Sequence, residues 1–174
     1  MAHNIEIKAK INSVEAMEPL VAMLSDGKRE VIYQGDVFFH CLTGRLKLRI
    51  FSKTAGELIF YQREDKTGPA SSFYVRTPTA DPASLHEALT LAYGEIGQVI
   101  KERTLYLIGR TRIHLDRVKG LGDFIELEVV LEDKESPESG IAEAERLMAD
   151  LGIAPSSLVA SAYIDLINAK TDKG

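Results

Sequence analysis

Lysine and arginine side chains recur at every second position in several short segments of this sequence. Lys8 and Lys10 alternate with aliphatic residues near the N-terminus, and Arg45, Lys47 and Arg49 do the same further along the chain. Alternate residues of a β-strand point to the same face, so each segment would place its cations on one side. Because like charges opposite one another destabilise a sheet, these faces are either well solvated or hold an anion.

A smaller set of carboxylates shares these segments. Glu6 precedes the first lysine on its face, Asp116 lies on a later segment, and Glu126 and Glu128 are two residues apart. Residues two apart on a strand are separated by about 6.6 Å, so Glu126 and Glu128 can reach one ion or two neighbouring ions. Oxygen ligands without His or Cys favour Mg²⁺ or Mn²⁺. Taken alone, the pair is explained more simply by a solvated strand face.

Many cations together with a few carboxylates are the residue types that a polyphosphate-binding site needs. Phosphoryl transfer depends on positioning and charge neutralisation, with guanidinium and ammonium groups on the non-reacting oxygens and a metal on the reacting ones. It requires no covalent nucleophile, and the sequence offers no convincing one. Cys41 directly follows His40, and adjacent strand residues point to opposite faces.

The segments that carry these residues predict about eight strands. Strict alternation marks residues 4–11, 45–50, 112–116 and 124–129, and weaker patterns mark 31–39, 57–63, 73–76 and 99–107. If such a sheet closes into a barrel with its charged faces inward, the interior is just wide enough for side chains or one small ligand. The aliphatic faces then point outward, where helices can cover them.

Capping residues and helical periodicity predict four helices, over residues 13–25, 81–94, 136–152 and 160–169. Pro19 lies inside the first of these, which predicts a late start or a kink. No linker or repeat interrupts the pattern. We therefore predict one α+β domain spanning residues 1–174.

The composition limits the classes of function. The 174 residues include 21 Lys and Arg against 26 Asp and Glu, a net charge of −5, which argues weakly against a dedicated nucleic-acid binder. A single cysteine excludes an intramolecular disulfide, and no apolar run is long enough for a membrane span or a leader peptide. We therefore expect a cytoplasmic protein with no membrane partner.

Several motifs carry a resemblance to a known family. Residues 4–8 (NIEIK), 45–49 (RLKLR), 112–116 (RIHLD) and 120–128 (GLGDFIELE) resemble successive motifs of the CYTH domain superfamily. This superfamily contains class IV adenylyl cyclases and thiamine triphosphatases and is also called the triphosphate tunnel metalloenzymes. The resemblance implies a closed eight-stranded antiparallel tunnel that binds a triphosphate and uses Mg²⁺ or Mn²⁺ to cleave it.

The resemblance and the strand pattern together assign roles to individual residues. Glu6, Glu126 and Asp116 are the expected catalytic residues, and the same three with Glu128 are the expected metal ligands. Tyr163, in a motif that resembles the closing segment of the family, lies either at the tunnel mouth or in the core. The expected substrate-binding cations are Lys8, Lys10, Arg45, Lys47, Arg49, Arg63, Arg76, Lys101, Arg103 and Arg112.

Two positions depart from the family pattern. Asn4 stands where the motif has its first Glu, which removes one anionic ligand, and Ala70 stands where related sequences usually carry Lys. Either difference is compatible with an altered substrate. The two together keep a non-catalytic binder open.

The expected function is metal-dependent hydrolysis of an inorganic, nucleotide or thiamine triphosphate. The first alternative is an adenylyl cyclase that converts ATP to cyclic AMP and pyrophosphate. The second is a polyphosphate or nucleotide binder without turnover. The expected partner is a triphosphate-bearing small molecule rather than nucleic acid, and a homodimer is left open.

Overall fold

The computed structural model of the protein describes residues 2–173 as eight strands and four α-helices. The strands are β1 (Ala2–Lys10), β2 (Glu30–Phe39), β3 (Arg45–Ser52), β4 (Ala55–Arg63), β5 (Ala70–Thr79), β6 (Glu95–Ile108), β7 (Thr111–Val118) and β8 (Gly122–Val130). The helices are α1 (Val14–Leu24), α2 (Pro82–Tyr93), α3 (Pro137–Asp150) and α4 (Tyr163–Asp172). None of these helices is both long enough and apolar enough to cross a membrane.

The strands close into an antiparallel barrel in the order β1-β5-β4-β3-β2-β6-β7-β8. Each strand turns one face inward and the other outward. On β7, His114 and Asp116 face the interior, whereas Ile113 and Leu115 are fully buried in an apolar layer outside the barrel. The predicted α+β class and the closed barrel with inward charged faces are confirmed.

Helices cover the outward aliphatic faces. Helix α3 packs on β1 and β8, α1 on β6 and β7, and α2 on β2, β3 and β4. Gly140 of α3 approaches the barrel so closely that an added Cβ would lie 2.7 Å from Ile5 Cγ1. Only glycine fits this contact without a shift of the helix.

Pro19 predicted a late start or a kink, and the late start is wrong because helix α1 begins at Val14. The Ser13 hydroxyl accepts a hydrogen bond from the Ala16 N–H at 3.1 Å, and the Val14 N–H donates to Asp123 Oδ2 at 2.7 Å. These two contacts satisfy N–H groups that the first turn of a helix leaves free. They fix the start of the helix ahead of the proline.

Helix α4 begins at Tyr163, three residues later than predicted, and lies across one end of the barrel. Its Tyr163 and Ile164 pack with Phe38, Val99 and Phe124 from the barrel interior. At Gly97 an added Cβ would come within 3.0 Å of Ile164 Cδ1, so the absence of a side chain there lets the helix approach. We call this the closed end, and the opposite end of the barrel the open end.

Candidate functional site

The barrel encloses a cavity of about 440 Å³. Among the described residues its lining contains six carboxylates, Glu6, Asp36, Glu57, Asp65, Glu126 and Glu128. It contains nine cations, Lys8, Arg45, Lys47, Arg49, Arg63, Arg76, Lys101, Arg103 and Arg112. The cavity therefore carries an excess of positive charge inside a chain whose net charge is −5.

Two of the expected site residues do not line this cavity. Lys10 lies beyond the closed end, where its ammonium donates to the Leu121 carbonyl at 3.0 Å. Asp116 is fully buried behind Arg103, and its carboxylate accepts hydrogen bonds from Arg103 Nε at 2.7 Å and from the Tyr163 hydroxyl at 2.8 Å. Strand alternation predicts which face a residue takes, but it does not predict how far along the barrel axis the residue lies.

Asp36 on β2 lines the cavity, although the sequence analysis did not single it out. Its carboxylate accepts hydrogen bonds from Lys47 Nζ at 2.9 Å and from Arg49 Nε and Nη2, both at 2.8 Å. Burial alone would raise the pKa of Asp36, but the two cations hold it well below its usual range. Asp36 alternates with Gln34 and Phe38 on the same face of β2, and this alternation is the signal that could have identified it.

Lys101 on β6 is a buried cation that forms no close ion pair within the described residues. Its side chain belongs to a residue that is 6% exposed, and no carboxylate of residues 2–173 lies within 4.0 Å of its ammonium. Burial, assisted by the positive charge of Arg103, lowers the pKa of Lys101 to about 7. A nearby anion stabilises a buried ammonium, so an anionic ligand beside Lys101 would offset the cost of its burial.

Three of the expected metal ligands lie on neighbouring strands at one side of the cavity. Glu6 on β1 and Glu128 on β8 are cross-strand partners. Glu6 Oε2 lies 3.2 Å from Arg63 Nε, and Glu128 Oε1 accepts a hydrogen bond from Asn4 Nδ2 at 2.9 Å. Burial raises the pKa of Glu6, and the negative charges of Glu126 and Glu128 raise it further.

Glu126, the third of these carboxylates, is surrounded by cations. Its Oε2 lies 3.1 Å from Arg103 Nη2, and its Oε1 lies 3.8 Å from Lys8 Nζ. Burial would raise the pKa of Glu126, but Arg103 and its neighbours hold it well below its usual range. His114 Nδ1 is 3.7 Å from the same carboxylate, too far for a hydrogen bond, and burial lowers the pKa of this imidazole.

The described residues contain no group of three His, Cys, Asp or Glu side chains placed to hold a metal ion by themselves. The carboxylates of Glu6, Glu126 and Glu128 share a wall, but each has its own protein partners. The role of these residues as metal ligands remains a prediction.

The C-terminal segment seals the closed end with polar contacts. Lys8 Nζ donates to the Ser161 carbonyl and Arg63 Nη1 to the Ala160 carbonyl, both at 3.1 Å. Arg45 forms a two-point contact with Asp165, at 3.2 and 2.6 Å. Tyr163 lies below the cavity with Lys8 Nζ 4.3 Å from its ring centre, so it forms the floor of the cavity rather than part of its open end.

Comparisons with known proteins agree with this architecture. The sequence matches the CYTH domain family over residues 2–163, whereas no curated protein matches it. The PH1012 protein from Pyrococcus horikoshii OT3 is 24% identical, with a TM-score of 0.83 over 94% of this chain and 98% of that chain.

Two more distant structures share the fold. A candidate adenylate cyclase from Vibrio parahaemolyticus is 18% identical, with a TM-score of 0.73 over 95% of this chain and 97% of that chain. HpAC1 from Hippeastrum, a candidate adenylyl cyclase with a dominant triphosphatase activity, is 14% identical, with a TM-score of 0.69 over 98% and 96% of the two chains.

Proposed function

The chain belongs to the CYTH domain family, and from this membership and the cavity we propose that it hydrolyses a triphosphate with the help of a divalent metal ion. The observation that carries the proposal is Lys101, a buried cation with no carboxylate of residues 2–173 within 4.0 Å, inside a cavity with an excess of positive charge. Ammonium and guanidinium groups are strong partners of phosphate oxygens. The cavity volume of about 440 Å³ lies in the range of small-molecule sites.

The phosphate oxygens would be held by cations from different walls of the barrel. Lys101 contributes an ammonium with no competing carboxylate within 4.0 Å among the described residues. Arg63 contributes a buried guanidinium whose Nε lies 3.2 Å from Glu6 Oε2 but makes no hydrogen bond within the described residues. Arg49 and Lys47 lie between them on β3, already oriented by Asp36. This arrangement holds several oxygens of one ligand at once.

The carboxylates of Glu6, Glu126 and Glu128 are chemically suited to hold a divalent cation. The pKa of Glu6 is raised in part because Glu126 and Glu128 repel its negative charge, and a cation between these groups would relieve that repulsion. Mg²⁺ is typically held by one or two carboxylates together with substrate phosphates, so a protein site of three ligands is not required. We expect Glu126 and Glu128 to hold the ion. When bound, it would neutralise phosphate charge and lower the pKa of a water molecule.

Residues of this chain would orient the attacking water and hold the substrate. Glu6 or Glu126 orients the attacking water, whose oxygen forms a bond to the terminal phosphorus as the bridging P–O bond breaks. The proton of the water passes to the carboxylate, and the bridging oxygen leaves on the diphosphate product. Lys101 and Arg63 keep the non-reacting oxygens in place. Positioning and charge neutralisation supply most of the rate enhancement in phosphoryl transfer.

Adenylyl cyclase activity is the second candidate, favoured by the solved relatives from Vibrio parahaemolyticus and Hippeastrum, which are both candidate cyclases. In that reaction the ribose 3′-hydroxyl attacks the α-phosphorus of ATP and pyrophosphate leaves. The same cations would hold ATP in either case, so the products separate the two activities. A non-catalytic binder is favoured by Asn4, which donates an amide hydrogen bond to Glu128 instead of adding a carboxylate.

The test is a product screen with inorganic triphosphate, ATP and thiamine triphosphate in the presence of Mg²⁺ or Mn²⁺. We expect metal-dependent release of orthophosphate, and we expect Glu128→Gln to reduce it at least about tenfold, since even residues around a metal ligand typically contribute 10- to 100-fold. Asp133→Asn, at an exposed acidic residue, is the matched control, and circular dichroism verifies the fold of both variants. Cyclic AMP with pyrophosphate would support the cyclase instead, and tight binding without any product would support the binder.

A further inference from the structure

Tyr163, the first residue of α4, contacts two lysine ammonium groups of the cavity. Lys8 Nζ lies 4.3 Å and Lys101 Nζ lies 5.2 Å from the centre of its ring. The two lysines come from β1 and β6, which are not neighbours in the barrel. An ammonium within about 6 Å of a ring centre is attracted by the negative face of the ring, most strongly where water is excluded. One side chain of the C-terminal segment therefore contacts cations from two separate walls.

The side chain of Tyr163 is fixed by its surroundings. The residue is 5% exposed, and its ring packs edge-on against Phe124 with 5.0 Å between the ring centres. Its hydroxyl donates to Asp116 Oδ2 at 2.8 Å, and Asp116 in turn binds Arg103. The hydroxyl thus joins an ion pair of the barrel, whereas the ring contacts the two ammonium groups. Because the two parts of the side chain have different partners, they can be tested separately.

An aromatic ring differs from a carboxylate as the partner of a cavity cation. A carboxylate accepts N–H donors and cancels positive charge, as Asp36 does with Lys47 and Arg49. The face of a ring attracts an ammonium but leaves its charge uncancelled, and an ammonium has three N–H donors to offer. Lys101 has no carboxylate of residues 2–173 within 4.0 Å. The ring can therefore hold this ammonium while its donors stay available to phosphate oxygens.

Resting on the proposed function, the structure assigns Tyr163 as a positioning residue whose ring holds the Lys8 and Lys101 ammonium groups for the non-reacting oxygens of the triphosphate. Tyr163 acts on the substrate through these two lysines. The C-terminal segment then contributes to substrate affinity as well as closing one end of the barrel. Because this contribution comes from the ring, it should survive the loss of the hydroxyl.

The experiment measures the binding of inorganic triphosphate by calorimetry in the full chain and in variants of Tyr163. We expect Tyr163→Leu, which removes the ring, to raise the Kd at least about tenfold, which corresponds to about 1.4 kcal/mol. Tyr163→Phe keeps the ring and loses only the hydroxyl, so its Kd should stay within about threefold of the wild-type value. Circular dichroism verifies the fold of each variant.

Tyr106→Leu is the matched control. Tyr106 is also 5% exposed, and its hydroxyl also donates to a carboxylate at 2.8 Å, that of Glu18, but it packs in the apolar layer outside the barrel. Its loss should lower the midpoint of urea denaturation and leave the triphosphate affinity unchanged. If Tyr163 had only a structural role, Tyr163→Leu would give this same result.

Normal triphosphate binding by Tyr163→Leu, or equal weakening in the Leu and Phe variants, would overturn the positioning role and leave the hydrolase proposal intact. If Tyr163→Leu does not fold, a phenylalanine fluorinated on its ring replaces Tyr163 instead, because fluorine draws negative charge from the ring face and nearly keeps the shape. This variant should bind triphosphate more weakly than Tyr163→Phe, and equal affinities would overturn the role.

The same measurements separate the two proposals. Because binding is measured directly, the expected order of affinities without any turnover would uphold the role of Tyr163 and overturn the hydrolase alone. No binding of any triphosphate by the wild type would overturn both.

Discussion

The closed end of the barrel and the middle of its β6 wall differ in whether a buried charged side chain has a close partner within the described chain. At the closed end, Lys8 contacts the chain's own C-terminal segment, and Asp116 binds Arg103 and Tyr163. In the middle of the wall, Lys101 faces the cavity with no carboxylate within 4.0 Å among residues 2–173.

This difference separates structural charge from functional charge. Removing a buried charge whose partner belongs to the same chain leaves that partner buried and unpaired, and this destabilises the fold. A charge that lacks such a partner costs stability in the free protein, and a bound anion recovers that cost. Substitutions in the two regions should therefore change different measured quantities.

The largest expected effect is at the closed end. Asp116→Asn should lower the free energy of unfolding by about 3–5 kcal/mol, because it leaves the buried Arg103 guanidinium without its main counter-ion. Urea denaturation measures this change. Asp133→Asn, at an exposed aspartate, should change stability by less than about 0.5 kcal/mol. If Asp116→Asn instead kept full stability and lost turnover, Asp116 would belong to the reaction, as the family resemblance implies.

Asp116 also shows how far sequence reasoning reaches in this protein. Strict alternation on β7 predicts its inward face, and that prediction depends only on the two-residue period of a strand. Its partner Tyr163 comes from a helix 47 residues further along the chain. A contact of that kind depends on how the C-terminal segment packs, which no local pattern encodes.

Asp36 and Lys101 show the same limit of sequence reasoning within the cavity. Both lie on strands with weak alternation, so the sequence identified Lys101 only as one member of a set of cations and did not identify Asp36. The difference between a paired and an unpaired cation arises from the register of β2 with its neighbours β3 and β6. Register is a property of the closed barrel and not of a single segment.

The second prediction concerns Lys101 in the middle of the β6 wall. Lys101→Met should weaken triphosphate binding by about 1.5–3 kcal/mol, the range for a hydrogen bond to a charged group. The same variant should be at least as stable as the wild type, because it removes a buried ammonium without a counter-ion and retains the apolar stem. Calorimetry and urea denaturation measure the two quantities on one sample.

Lys28→Met is the control for this substitution. Lys28 is exposed and does not line the cavity, so its loss should change the binding free energy by less than about 1 kcal/mol. A Lys101→Met variant that lost stability while binding triphosphate normally would place Lys101 among the structural charges and remove the contrast between the two regions.

The smallest expected effect is on pH dependence. The pKa of Lys101 is about 7 in the folded protein, against an ordinary value of 10.5. Between these values the unfolded chain holds a proton that the folded chain has released, so this group makes stability rise with pH through that window. A triphosphate binds the ammonium form, so above pH 7 its affinity should fall by up to about tenfold per pH unit.

Calorimetric titrations from pH 6 to 9 on the wild type and on Lys101→Met measure this slope. The variant keeps the ligand's own titration and every other cavity charge, so the difference between the two slopes isolates Lys101. A shallower slope in the variant is expected, together with loss of the proton uptake that accompanies binding to the wild type at pH 8. Equal slopes would mean that this ammonium does not meet the phosphate, because a group that gains an anionic partner must raise its pKa on binding.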